Sequence, residues 1–208
     1  SWIQPTIDAL AESAMRRWNR EETIIYNTVQ LYRTDRLDYL KSLTSFAKAE
    51  KFNVGVKLVR GAYMEKERAR ALSLGYPSPI QRDKAATDRD FDAALEWCVA
   101  HLDHVSLCAG SHNENSNALL CQNMDKLGIA RKDKRVWFAQ LLGMSDPISF
   151  NLACANYQVA KYVPYGPIAE TIPYLIRRAE ENTSVAGQTS RELELIRREK
   201  DRRNRTNN

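Results

Sequence analysis

The chain has 208 residues, 43% hydrophobic and 27% charged, the balance of a soluble globular fold that is one domain or a piece of a larger one. No apolar run approaches the roughly 18–20 residues of a bilayer span, and the opening SWIQPTIDALAES lacks the basic start and unbroken apolar core of a signal peptide. The formal charge of +5 gathers at the end, where residues 191–208 carry seven Lys/Arg against four Asp/Glu but no aromatics for stacking bases, which argues against nucleic acid.

Trp2 and Ile3 lead into a first helical pattern. Residues 23–32 (TIIYNTVQLY) and 53–61 (NVGVKLVRG) are rich in β-branched and aromatic residues and read as strands. Weaker strand patterns follow at 104–112, 135–143 and 157–166. Helical patterns lie between them at 35–50, 83–101, 113–127 and 145–156, and a last helix is expected over about 173–181. Residues 191–208 read as a basic tail, either a solvated helix end or a peripheral contact with an anionic membrane.

Strand and helix alternating at this spacing predict βαβ units and a parallel sheet. No GxGxxG follows any strand, so a dinucleotide-binding fold is disfavoured and a (βα)8 TIM-like barrel is expected. Five strands are too few to close such a barrel, so the chain is expected to be its C-terminal part, with residues 1–190 as barrel and 191–208 as tail.

In a barrel, polar residues gather where strands finish. Gln30, Tyr32 and Arg33 end the first strand; Lys57 and Arg60 lie near the end of the second, ahead of Gly61, Ala62 and Tyr63. Ser111, His112 and Asn113 end the third, Gln140 and Leu141 the fourth, Tyr162 and Tyr165 the fifth. His112 and Asn113 also fit a helix cap. Strand alternation separates Val56, Leu58 and Arg60 from Lys57 and Val59. Both faces of a barrel strand are expected to be covered, so Lys57 needs either a structural ion pair or an anion or cofactor to hold. On the last helix Ile172, Leu175, Ile176 and Ala179 form one stripe, with Tyr174, Arg177, Arg178 and Glu181 opposite. That polar face is either solvated or, across a barrel mouth, a forked clamp for a carboxylate.

Cys98, Cys108, Cys121 and Cys154 form no CxxC. They suggest neither a metal site nor a redox pair, and they fit reduced thiols in an intracellular compartment.

The strings VKLVRGAYMEKERARA, GSHNENSN, WFAQLLGMSD, KYVPYGP and PYLIRRAEENTS occur in this order. Together they resemble the proline dehydrogenase family, FAD-dependent enzymes of the (βα)8 barrel class that oxidise L-proline to Δ1-pyrroline-5-carboxylate by hydride transfer to flavin N5. The likeness runs from about Tyr26 to Ser184 and is to the single-activity enzymes rather than the fused bifunctional ones.

The resemblance implies that the last helix lies over the barrel mouth and that Arg177 and Arg178 pair with the proline carboxylate. It puts Tyr63 and Tyr162 beside the substrate, Leu141 on its ring, and Ala62 near both flavin and substrate. Gln30 and Lys57 are implied at the flavin ring, Lys57 near N5. Arg60, Gly61, His112, Asn113 and Gln140 are implied around FAD, and Glu181 pairs with an arginine of the clamp. A quinone acceptor is implied too, at the inner face of a bacterial respiratory membrane or in a mitochondrion.

Family members carry earlier strands, including an Asp-Ala-Glu strand end, that are not in these 208 residues. Their carrier would be an N-terminal half of the same enzyme, and FAD binding by this chain alone stays open. The rival readings are a phosphate- or sugar-binding barrel fragment, and a non-catalytic half-barrel or membrane-tethering module.

Overall fold

A computed structural model describes residues 3–184 and 188–206; the side chains of residues 177, 179–184, 188–192, 195 and 206 lie outside the description. Two compact units are resolved, Ser1–Tyr162 and Val163–Asn208.

The first unit is built on five parallel strands: β1 (Asn27–Gln30), β2 (Val54–Val59), β3 (Val105–Gly110), β4 (Val136–Leu141) and β5 (Val159–Tyr162). Their spatial order is their chain order. Parallel crossovers are right-handed, so an order that never reverses returns every helix to the same side of the sheet. A doubly wound sheet, with its reversal point, is thereby excluded, and the arc of a (βα) barrel remains.

The helices are α1 (Gln4–Trp18), α2 (Arg36–Glu50), α3 (Met64–Leu74), α4 (Lys84–Ala100), α5 (Glu114–Lys126) and α6 (Asp146–Cys154). Short polar residues start α4 and α5. Asp83 accepts from the Ala86 amide at 2.7 Å and Asn113 from the Ser116 amide at 3.1 Å, satisfying backbone donors that the first turn leaves free. Gly75 at φ 67° closes α3.

The core lies between sheet and helices. Val29, Val56, Leu58, Leu107, Ala109, Val136 and Phe138 on the strands are buried together with Leu40, Phe91, Leu95, Cys98, Leu120 and Met124 on the helices. Each Val, Leu, Phe or Met among them contributes about 1.5–3 kcal/mol by leaving water. α1 is held by a buried ion pair, Asp8 with Arg36 of α2 at 2.6 Å, and Asp8 also accepts from Gln4 and Asn27 at 2.9 Å each. A buried charge is tolerated because it is bonded on several sides.

Every predicted strand is present, trimmed at its ends to the stretch that pairs with a neighbour. The predicted helices shift by only one or two residues at each end, save the last. α3 falls outside the predicted elements because its sequence, MEKERARALSL, has no apolar stripe; only Glu67 and Ala71 are buried. Cover over the second sheet face is uneven among the described residues. Of the positions that alternate with the core, Gly55, Ser106, Ala139 and Leu141 are buried, whereas Gln30, Lys57, Val59, Cys108 and Gly110 are half-buried.

The second unit holds α7 (Ile168–Ser184) and α8 (Gln188–Thr206). α7 begins five residues before Pro173, which the sequence suggested as a start. Pro173 lies inside the helix, in its second turn, where it gives up its own N–H bond without ending the helix. The carbonyl of Pro167 accepts from Glu170 and Thr171, closing the first turn. Ile172, Leu175 and Ile176, the predicted apolar stripe, are each more than a third exposed. On α8, Glu199 meets Arg202 and Arg203, so part of the tail's charge is balanced locally.

Candidate active site at the strand ends

Strand alternation sorts the predicted site residues of the first unit. Gln30, Lys57, Leu141 and Tyr162 project from the face opposite the helices. Lys57 pairs in register with Cys108 on β3, and Leu141 with Tyr162 on β5. The Lys57 ammonium lies 5.2 Å from the centre of the Tyr162 ring, so side chains of β2 and β5, which are not neighbours in the sheet, meet on this face. Two small residues allow this. A Cβ on Gly110 would fall 3.3 Å from Lys57 Cε and 3.0 Å from Val59 Cγ1, and the next strand presents Ala139, Gly110's partner in register. Lys57 therefore has no structural carboxylate among its described contacts and instead makes a cation–π contact. The burial of Cys108 raises its thiol pKa, and the Lys57 charge opposes that rise. Gln30 donates to Gln4 Oε1 at 3.3 Å.

Arg60, Gln140 and Asn113 go the other way, into the scaffold. The Arg60 guanidinium bonds Asp88 at 2.5 Å and the hydroxyls of Ser111 and Ser116 at 2.9 Å each, and lies over Phe91. Burial, the largest influence on Asp88, pushes its carboxyl up, but bonds from Lys84 and Arg60 outweigh it and leave the group below the usual range. Gln140 is buried, donating to the Ser111 carbonyl at 3.3 Å and accepting from Ser149 at 2.9 Å. Asn113, not His112, is the cap of α5. His112 Nδ1 is 2.9 Å from Ser145 Oγ, and Ser145 takes φ 52° at the start of α6. A non-glycine residue there is strained and is held by its surroundings.

Gly61, with φ 117°, lies under the Tyr32 ring; a Cβ would sit 1.7 Å from a ring carbon. No other residue fits the turn. Ala62 is half-buried and Tyr63, the residue before α3, is exposed. In the second unit Arg178 lies 5.1 Å over the Tyr174 ring. The side chains of Arg177 and Glu181 lie outside the described residues.

Sequence reasoning missed the partners rather than the strand-end residues. Asp88 reads as an ordinary i,i+4 pair with Lys84, a pair that the structure also contains at 2.5 Å. Ser116 reads as helix surface. The one signal for Glu67 is an acidic residue in a helix too charged to bury much else.

A lysine ammonium, a glutamine amide and a floor of Gly110, Ala139 and Leu141 suit a flat ring system that gains negative charge. These residues fit the flavin that the motifs imply. Among the described residues no group of His, Cys, Asp and Glu could hold a metal ion, and no helix is long and apolar enough to cross a membrane.

Residues 1–191 match the family model for proline dehydrogenase. Human mitochondrial proline dehydrogenase 1 is 42% identical over 211 residues, covering 100% of this chain and 35% of that protein. The hydroxyproline dehydrogenase of Xenopus laevis is 39% identical, covering 98% of this chain and 44% of that protein. The crystal structure of proline utilization A from Bdellovibrio bacteriovorus, inactivated by N-propargylglycine, superposes with a TM-score of 0.82 at 26% identity, over 88% of this chain and 19% of that one. The chain thus spans only about a third to under a half of the curated relatives named here.

Proposed function

Since this chain belongs to the proline dehydrogenase family, we propose that it supplies the C-terminal strands and substrate clamp of an enzyme oxidising L-proline to Δ1-pyrroline-5-carboxylate. The observation that carries this reading is the placement of Lys57. A cation on the half-open sheet face, stretched over Gly110 towards Tyr162, has a ring contact where a structural lysine would have a carboxylate.

In this reading residues 1–190 are the C-terminal part of the barrel and 191–208 a basic tail. Arg177 and Arg178 take the proline carboxylate through charge-assisted bonds, each worth about 1.5–3 kcal/mol, and Glu181 orients one of them. Tyr63, Tyr162, Ala62 and Leu141 wall the ring and exclude water, so that proline C5 is held at reacting distance. Gln30 and Lys57 hold FAD at its ring, with Lys57 favouring negative charge there, and Gly61 lets the backbone approach. His112 contacts FAD directly. Arg60, Asn113 and Gln140 serve the same cofactor by fixing the strand ends from the helix side. FAD, when bound, would supply the hydride acceptor for C5, with a membrane quinone as the class of electron acceptor. The remaining strands come from an N-terminal half of the same enzyme. The mitochondrial relatives favour a mitochondrial location over the inner face of a bacterial membrane; the basic tail is a candidate for membrane contact.

The test is spectroscopic. The purified complete protein is expected to be yellow and to bleach when L-proline is added without oxygen. Arg178→Ala is expected to raise KM for proline about tenfold or more while FAD stays bound. A colourless protein, or a flavin that proline leaves oxidised, overturns the reading; an unchanged KM removes the clamp.

A further inference from the structure

The segment Gly61–Ala62–Tyr63 is held from both ends by one buried carboxylate. Glu67, 2% exposed, lies in the first turn of α3. Its Oε1 accepts from the Tyr32 hydroxyl at 3.1 Å, and its Oε2 from Arg33 Nη1 at 3.1 Å. Tyr32 and Arg33 lie two and three residues past β1, so the carboxylate ties α3 to the segment that leaves β1, 35 and 34 positions earlier in the chain. The Glu67 amide also donates to the Tyr63 carbonyl at 3.0 Å.

Tyr32 transmits the tie. Its amide donates to the Arg60 carbonyl and its carbonyl accepts from the Gln81 amide, both at 2.7 Å. With its backbone pinned on both sides, only rotation of the ring is left, and the Glu67 bond fixes that. The ring then rests on Gly61, where even a methyl group has no room. Burial, with the neighbouring Glu67 charge second, raises the Tyr32 pKa and keeps the phenol protonated as a donor.

A tie between helix and strand needs no charge. Apolar packing would join α3 to β1 without desolvating a carboxylate and a guanidinium, and replacing such buried pairs by apolar groups is often neutral or stabilising. Directional bonds add what packing does not, a fixed orientation of the ring and hence of the turn beneath it.

We propose that Glu67 is a positioning residue for substrate binding, acting through Tyr32 and Arg33 to set where Ala62 and Tyr63 face the bound ring. The inference rests on the proposed function, which puts those two residues at the substrate.

The experiment uses the complete protein and two variants, Glu67→Gln, which keeps the shape and removes the charge, and Tyr32→Phe, which keeps the ring on Gly61 and removes the donor. Two quantities are read: KM and kcat for L-proline, and the calorimetric Kd of a five-membered-ring carboxylate lacking the amine. Each variant is expected to raise KM and Kd about tenfold, the loss of one charge-assisted bond, with FAD content unchanged and kcat within about threefold. Glu67→Asp, which restores the charge with a shorter reach, is expected to recover part of the Kd. Variants that melt earlier but keep wild-type KM and Kd would make Glu67 a purely structural residue and overturn the inference. If Glu67→Gln does not fold, Tyr32→Phe alone decides it. A wild-type protein inert towards proline would instead overturn the proposed function, leaving the two failures distinguishable.

Discussion

The two faces of the sheet are made from the same strands, one residue out of step, yet they obey different rules. On the helix side the described side chains are packed and bonded within the scaffold: Phe138 is fully buried among its neighbours, Arg60 is bonded on three sides, and Gln140 uses both ends of its amide. On the other face Gln30, Lys57, Val59, Cys108 and Gly110 are half-buried, and Lys57 has an aromatic ring for a neighbour. A face built for stability spends its polar groups on itself; a face kept for a ligand leaves them available.

Substitutions should separate the two. The largest loss is expected on the helix side, where Phe138→Ala should destabilise the complete protein by about 3–5 kcal/mol in a denaturant titration. A change below about 1 kcal/mol would mean that the core is not what holds the sheet. Next comes Asp88→Asn, which removes the charge facing Arg60 and Lys84 and should cost about 1.5–3 kcal/mol at pH 7. Because the folded carboxyl titrates below its ordinary range, this contribution is fully present above the unfolded value of about 3.9 and is lost as pH falls through the lower folded value. The gap between variant and wild type should therefore narrow as pH falls below about 4; a gap independent of pH would break the assignment. Asn113→Ala, losing the α5 cap, should cost about 1 kcal/mol, and a thermal melt can detect it.

Lys57→Met is the sharpest probe and the smallest in stability, within about 0.5 kcal/mol of wild type. It should nonetheless weaken FAD binding or slow flavin reduction. A variant with full flavin content and wild-type reduction rate would erase the distinction between the faces.

Much of this was legible in the sequence. The strands declared themselves through runs such as NVGVKLVRG, and alternation alone put Lys57 and Arg60 on opposite faces. What alternation could not supply was the identity of each face's neighbours. Asp88 lies 28 positions from Arg60 and Ser116 lies 56, and no local pattern links them. α3 stayed hidden for a related reason: it is anchored by a buried charge, whereas periodicity detects apolar stripes. The arginine pair of α7 was visible as a motif, but a helix pattern gives only the relative directions of its own side chains, not what they meet.

The unreversed strand order carries a last consequence, for handling the molecule. Among the described residues β1 and β5 each have one hydrogen-bonded neighbour strand, so the sheet ends in two open margins. Parallel margins of this kind act as templates for further strands, including those of identical molecules. By themselves these 208 residues should self-associate in a concentration-dependent way, and supplying further parallel strands on a second polypeptide should suppress it.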